Sequence, residues 1–228
     1  MSIQWESSNS DLVTADADTS LVITKPTGLA AGDLLVFIGG TASGLSYNTP
    51  SGWTSQVASD TANGNIQVLS KVADSSDAAA SNFTFNISGT FSQGCGSLHR
   101  VSGASTNAPT SATGTGANDT TQTCPTITTP TDNCLVFWAV YRASNFGPCS
   151  GSKGTERTDI GQASPACALA VYSNLEVTAG SITGVVITST NFGAKRLVSV
   201  AWESSGGGGG TKSPPVFQRR TRFFKGRI

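Results

Sequence analysis

The chain has 228 residues, of which 12% are charged, 37% hydrophobic and 26 glycine. The length allows one large β-sandwich or two small domains, and a charge content half of the ~25% usual for globular proteins, with abundant Gly, Ser and Thr, suits short strands joined by turns and suits helices poorly. The formal charge is zero but unevenly placed: six of the fourteen basic residues lie at or after Lys212 and all fourteen acids at or before Glu203, so a −6 body carries a +6 tail.

In chain order, the opening MSIQWESSNSDLVTADAD is acidic and has no apolar core, so no secretion signal is expected. The apolar run LLVFI at 34–38 reads as a strand, followed by IQVLSKVA at 66–73, FTFNIS at 83–88 and GSLHRVS at 96–102. A polar, turn-rich stretch at 103–123 separates them from a second set: CLVFWAVY at 134–141, ALAVYSNLEV at 168–177, VVITST at 185–190 and RLVSVAWE at 196–203. LVF at 35–37 recurs at 135–137, and the other strands repeat at offsets of 100 to 103.

Two sets of four strands predict an all-β fold, an eight-stranded jelly-roll-like β-sandwich spanning 1–205 with pseudo-repeats 20–105 and 125–205. Four strands alone leave an apolar face uncovered, so the halves are expected to pack as one sandwich; an immunoglobulin-like sandwich is the alternative. LLVFI and CLVFWAVY are apolar at successive positions, as in strands buried on both sides or at a trimer contact. Neither run is long enough to span a bilayer, so no membrane partner is expected.

Chemistry-bearing residues are few. The one histidine, His99, has no acid nearby in sequence and supports neither a triad nor a zinc site, which leaves a structural or surface imidazole. GPCSGSKGT around Lys153 lacks the hydroxyl residue that follows a phosphate-loop lysine, and reads as a turn. Asp16 with Asp18, and Asp74 with Asp77, form no EF-hand pattern, so no metal or other cofactor is expected. Five cysteines without CxxC spacing predict free thiols in a reducing compartment, with Cys149 and Cys167 the best pair for any bridge. Trp53, Trp138 and Trp202 are expected in the core, and Trp5 is expected to pin the N-terminal segment to the body.

KPTGLAAGDLLVFIGG followed by TPSGWT places Pro26, Gly28, Gly32 and Asp33, then Pro50, Gly52 and Trp53, at turn positions. This pattern resembles a β-sandwich module common among tailed-bacteriophage virion proteins, and VLSKVAD at 68–74 and HRVSGAS at 99–105 resemble its later strands. The second half has TDNC at 131–134 in place of the Gly-Asp turn. The resemblance covers 20–205 and implies a virion component made in the host cytoplasm, without a family reaction: a capsid decoration, head-fibre or tail protein.

The end of the chain is unlike the rest. Five glycines at 206–210 form a flexible linker, and 211–228 read as a docking peptide for other virion proteins of capsid or tail. Its contacts are expected from Phe217, Arg219, Arg220, Arg222, Phe223, Phe224, Lys225 and Arg227. A disordered, solvated end is one alternative, which accounts for the linker but not for three phenylalanines; interleaved cations and aromatics also suit nucleic acid, but the acidic body argues against that partner. The leading function is therefore a non-enzymatic homo-oligomer, a trimer, acting as a decoration (cement) protein. Its rivals are a fibre tip binding a host glycan or receptor through loops at 103–123 and 142–166, and a virion-borne glycan hydrolase.

Overall fold

Runs of β-branched and aromatic residues broken by glycine and proline favour extended backbone over helix. The computed structural model describes residues 2–12, 18–42, 44–61, 64–91, 94–144, 147–163, 166–190 and 195–206, and among these it is built almost wholly of strands. The first half contains β1 (Gln4–Leu12), β2 (Asp18–Thr24), β3 (Leu34–Thr41), β4 (Thr54–Thr61), β5 (Gly64–Val72), the single-turn helix α1 (Ser75–Ala79), β6 (Asn82–Phe91) and β7 (Gly94–Ser102). The second contains β8 (Thr110–Gly116), β9 (Thr121–Thr123), β10 (Ile127–Thr129), β11 (Cys134–Arg142), β12 (Cys149–Gly151), β13 (Thr155–Ala163), β14 (Ala166–Glu176), β15 (Gly180–Ile182), β16 (Val186–Ser189) and β17 (Lys195–Trp202). Every one of the eight expected strands is present, as β3, β5, β6, β7, β11, β14, β16 and β17.

Each half forms a five-stranded antiparallel sheet, in the orders β1-β7-β3-β5-β4 and β13-β14-β11-β17-β8. The two sheets face each other over a central core in which Val36, Ile38 and Val68 meet Phe137, Leu169 and Trp202. The outer face of the first sheet, with Leu35, Phe37 and Leu69, is covered by β2 and β6 through Leu21, Ile23, Phe83 and Phe85. The outer face of the second, with Val136, Trp138 and Tyr172, is covered by β9, β12 and β16 and by the β10–β15 pair, through Cys124, Ile127 and Ile187. Successive side chains of a strand point to opposite faces, and both faces of β3 and β11 are covered. That double burial within the chain accounts for their unbroken apolar runs. Four layers thus replace the single expected sandwich: β6 and β16 are expected as strands, but nothing in their sequence says that they lie on the outer faces of the large sheets.

The repeat carries a correction of one residue. Phe37 lies opposite Leu69 and Leu98, and Trp138 lies opposite Tyr172 and Ser199, so β3 maps onto β11 at an offset of 101. The offset of 100 suggested by LVF would match Leu35, which faces an outer core, with Leu135, which faces the central one. A slip of one residue exchanges the faces of a strand. At the structural offset, β4 and β13 bulge at the same place, between Ser55 and Val57 and between Glu156 and Thr158, leaving Gln56 and Arg157 as equivalent extra residues.

The turn residues act as their chemistry requires. Gly32 has φ of 95°, and the Asp33 carboxylate accepts the Ala30 N–H at 2.9 Å and the Arg100 Nε–H at 2.6 Å. In the second half Asn133 takes φ of 58°, a conformation that asparagine tolerates better than most side chains. Gly40 serves a different need: it meets the Tyr141 ring across the central core, where an added Cβ would clash with the ring atoms.

Candidate functional site

The eight candidate docking residues Phe217, Arg219, Arg220, Arg222, Phe223, Phe224, Lys225 and Arg227 lie outside the described residues, as does the linker from 207 onward. Their root is described. Past β7 and β17 the two halves pair with one another: Ala104 bridges Ser204, the Ser105 N–H donates to Glu203 O at 2.8 Å, and the Ser205 N–H donates to Gly103 O at 2.7 Å. The Asn107 side-chain amide adds a bond to the Glu203 carboxylate at 3.1 Å, and the Gly206 N–H reaches Ser204 Oγ at 3.4 Å. The tail therefore starts from a point held by both halves. Beside it lies a cleft of about 110 Å³, lined among others by Gln56, Ser70, Lys71, Asn107 and Trp202.

The acid pair Asp74 and Asp77 is occupied by the fold. Asp74 caps α1, Asp77 returns a bond to the Asp74 N–H, and Lys71 Nζ lies 3.3 Å from Asp74 and 2.7 Å from Asp77. The Ser76 hydroxyl and the capped N–H groups hold the Asp74 carboxyl well below its ordinary range. Asp18 opens β2, and Asp16 lies outside the described residues. Among the described residues no three histidine, cysteine or acidic side chains gather in a metal-holding group. Lys153 forms an ion pair with Glu176 at 2.7 Å, so the loop around it has its cation engaged within the fold.

His99 is fully buried on β7 between the two large sheets. The Trp5 indole N–H donates to its Nδ1 at 3.4 Å, which assigns the ring proton to Nε2, 2.8 Å from Ser97 Oγ. Burial, and then the Arg157 charge nearby, lower its pKa from 6.5 to about 3. Arg157 lies over the Trp5 ring at 3.8 Å and donates from Nε to Ser173 Oγ at 2.8 Å, while Ser8 Oγ donates to the Arg157 carbonyl at 3.1 Å. Trp5 thus pins β1 to the body, and it does so through a cation from the other half.

The cysteines are all free. Cys149 belongs to the outer core of the second half and Cys167 to the central core, so the suggested pair is not brought together. Cys167 instead meets Cys95 across the two halves, where burial raises the Cys95 thiol well above its ordinary range. Two further groups escaped the sequence reading. Lys195 and Arg196 open β17 at 1% exposure each. Lys195 Nζ donates to Asp119 O at 2.7 Å, and Arg196 joins Gly64 O at 3.0 Å and Thr115 Oγ1 at 2.9 Å. Burial lowers the Lys195 pKa. The sequence signal was their adjacency to an apolar run, which marks the start of a strand but not the depth of its first residues.

Compared with known proteins, the chain matches no family model, no curated protein and no solved structure.

Proposed function

We propose that the chain is a non-enzymatic structural protein of a tailed-phage virion, a capsid decoration (cement) protein attached to the particle through its C-terminal tail. The supporting observation is the root at 103–107 and 203–206, where bonds between the halves fix the point from which a basic, phenylalanine-bearing segment leaves an acidic body. Arginines on acidic rims and phenylalanines in pockets would hold such a segment on a protein partner. The segments 103–123 and 142–166, which a fibre tip would offer as loops, include the strands β8, β9, β12 and β13.

Deleting 211–228 should leave the body folded and abolish saturable binding to particles that lack this protein, measured as copy number by mass spectrometry. Normal incorporation of the truncated chain would refute the proposal. Changing Phe223 and Phe224 to Ser should weaken attachment more than raising salt does. The opposite ranking would identify a charge-driven arm instead.

A further inference from the structure

An edge strand exposes N–H and C=O groups that invite another strand, and natural sheets guard such edges with bulges and charges. The two large sheets have four edges: β1, β4, β13 and β8. β1 is interrupted by a bulge between Trp5 and Ser7 and contains Glu6 and Asp11. β4 bulges between Ser55 and Val57 and contains Asp60. β13 bulges between Glu156 and Thr158 and contains Glu156, Arg157 and Asp159. β8 has neither guard. Its sequence TSATGTG is without charge or proline, and it follows β17 in unbroken register from Thr110 opposite Ala201 to Gly116 opposite Lys195. Thr110, Ser111, Thr113 and Thr115 are exposed along it. Threonine suits strands, and Thr–Thr and Thr–Ser pairs across strands are favourable.

We propose that β8 pairs with β8 of a second copy of this chain, antiparallel about a two-fold axis, so that two five-stranded sheets become one of ten. Charge selects this occupant. A two-fold contact sets a surface against itself, so a charged edge would bring like charges into opposition. Glu6 and Asp11 would do so on β1, whereas β8 brings no charge at all. Two bodies of net −6 repel one another over most of their surface, which leaves an uncharged strand as the favourable line of approach. This contact is independent of the virion reading and gives dimers where a trimer was expected from sequence.

The test uses the full chain in a light-scattering concentration series, together with hydrogen exchange of the 110–116 amides. The mass should rise from 23.2 kDa to twice that value, with slower exchange across 110–116 as it does. Thr113→Lys should weaken association by at least about tenfold with strand content unchanged, whereas Ser10→Lys on the guarded β1 should leave it intact. A chain that stays monomeric or forms trimers overturns the proposal. So does a dimer in which the β8 amides still exchange freely.

Discussion

The two long sides of the body are made of equivalent strands and finished in different ways. On one side β1 of the first sheet lies beside β13 of the second; on the other, β4 lies beside β8. Gln56 and Arg157 occupy the same bulge, and each donates to an equivalent serine at 2.8 Å, Gln56 to Ser70 and Arg157 to Ser173. At Arg157 the longer, charged side chain continues outward and stacks on Trp5, and Trp5 in turn reaches His99. At Gln56 the counterpart space is the cleft of about 110 Å³ beside the tail root. One side is closed by an aromatic and a cation; the other keeps a gap and an unguarded strand. A repeat can hold its backbone register while single side chains decide which flank is sealed.

The strongest way to break this comparison is to open the sealed side. Trp5→Ala should cost about 3 kcal/mol in denaturant unfolding, because it removes a half-buried indole, the stack on Arg157 and the partner of His99 Nδ1 together. A loss below about 0.5 kcal/mol, the range of ordinary surface changes, would show that the flank is not sealed by Trp5.

The next effect is on pH. The folded pKa of His99 is depressed from 6.5 to about 3, so the unfolded chain binds the extra proton between those values. Stability is then fully present above pH 6.5 and is lost as pH falls toward 3. Lowering the pH to about 5 should remove about 2 kcal/mol in the wild type. The slope over that interval should flatten in His99→Gln, and an equal slope in both chains would assign it elsewhere.

Arg157→Gln converts the sealed bulge into its counterpart and should cost about 1 kcal/mol, that of the cation–π contact, without altering the serine bond. The reciprocal Gln56→Arg should change stability by less than about 0.5 kcal/mol, because no aromatic ring lines the gap except the buried Trp202. A gain above about 1 kcal/mol would mean that the new cation finds a partner in the cleft.

What the sequence revealed and what it hid follow from the same geometry. LLVFI and CLVFWAVY were legible because burial on two faces leaves no polar position, and the Pro-Gly-Trp and Gly-Asp turns were legible because few residues accept their dihedral angles. TSATGTG was read as loop because an edge strand with one exposed rim needs no apolar alternation. The burial of Lys195 and Arg196 was not legible, since nothing in a linear sequence shows that Asp119 O and Gly64 O wait at depth to receive them. The approach of Cys95 to Cys167 depends on how two halves face each other, which strand spacing alone does not encode. For the tail, composition named the residues, while their surroundings lie outside the described residues.

The bridge between Ala104 and Ser204 also has a mechanical meaning. Tension applied at residue 206 reaches first the bond from Ser205 to Gly103 and then the bond from Ser105 to Glu203, before it reaches the ladder of β17. Load entering at one end of the chain is thereby shared with the middle of it. A pull at residue 206 must break the bridge between the halves before it can begin to unzip β17.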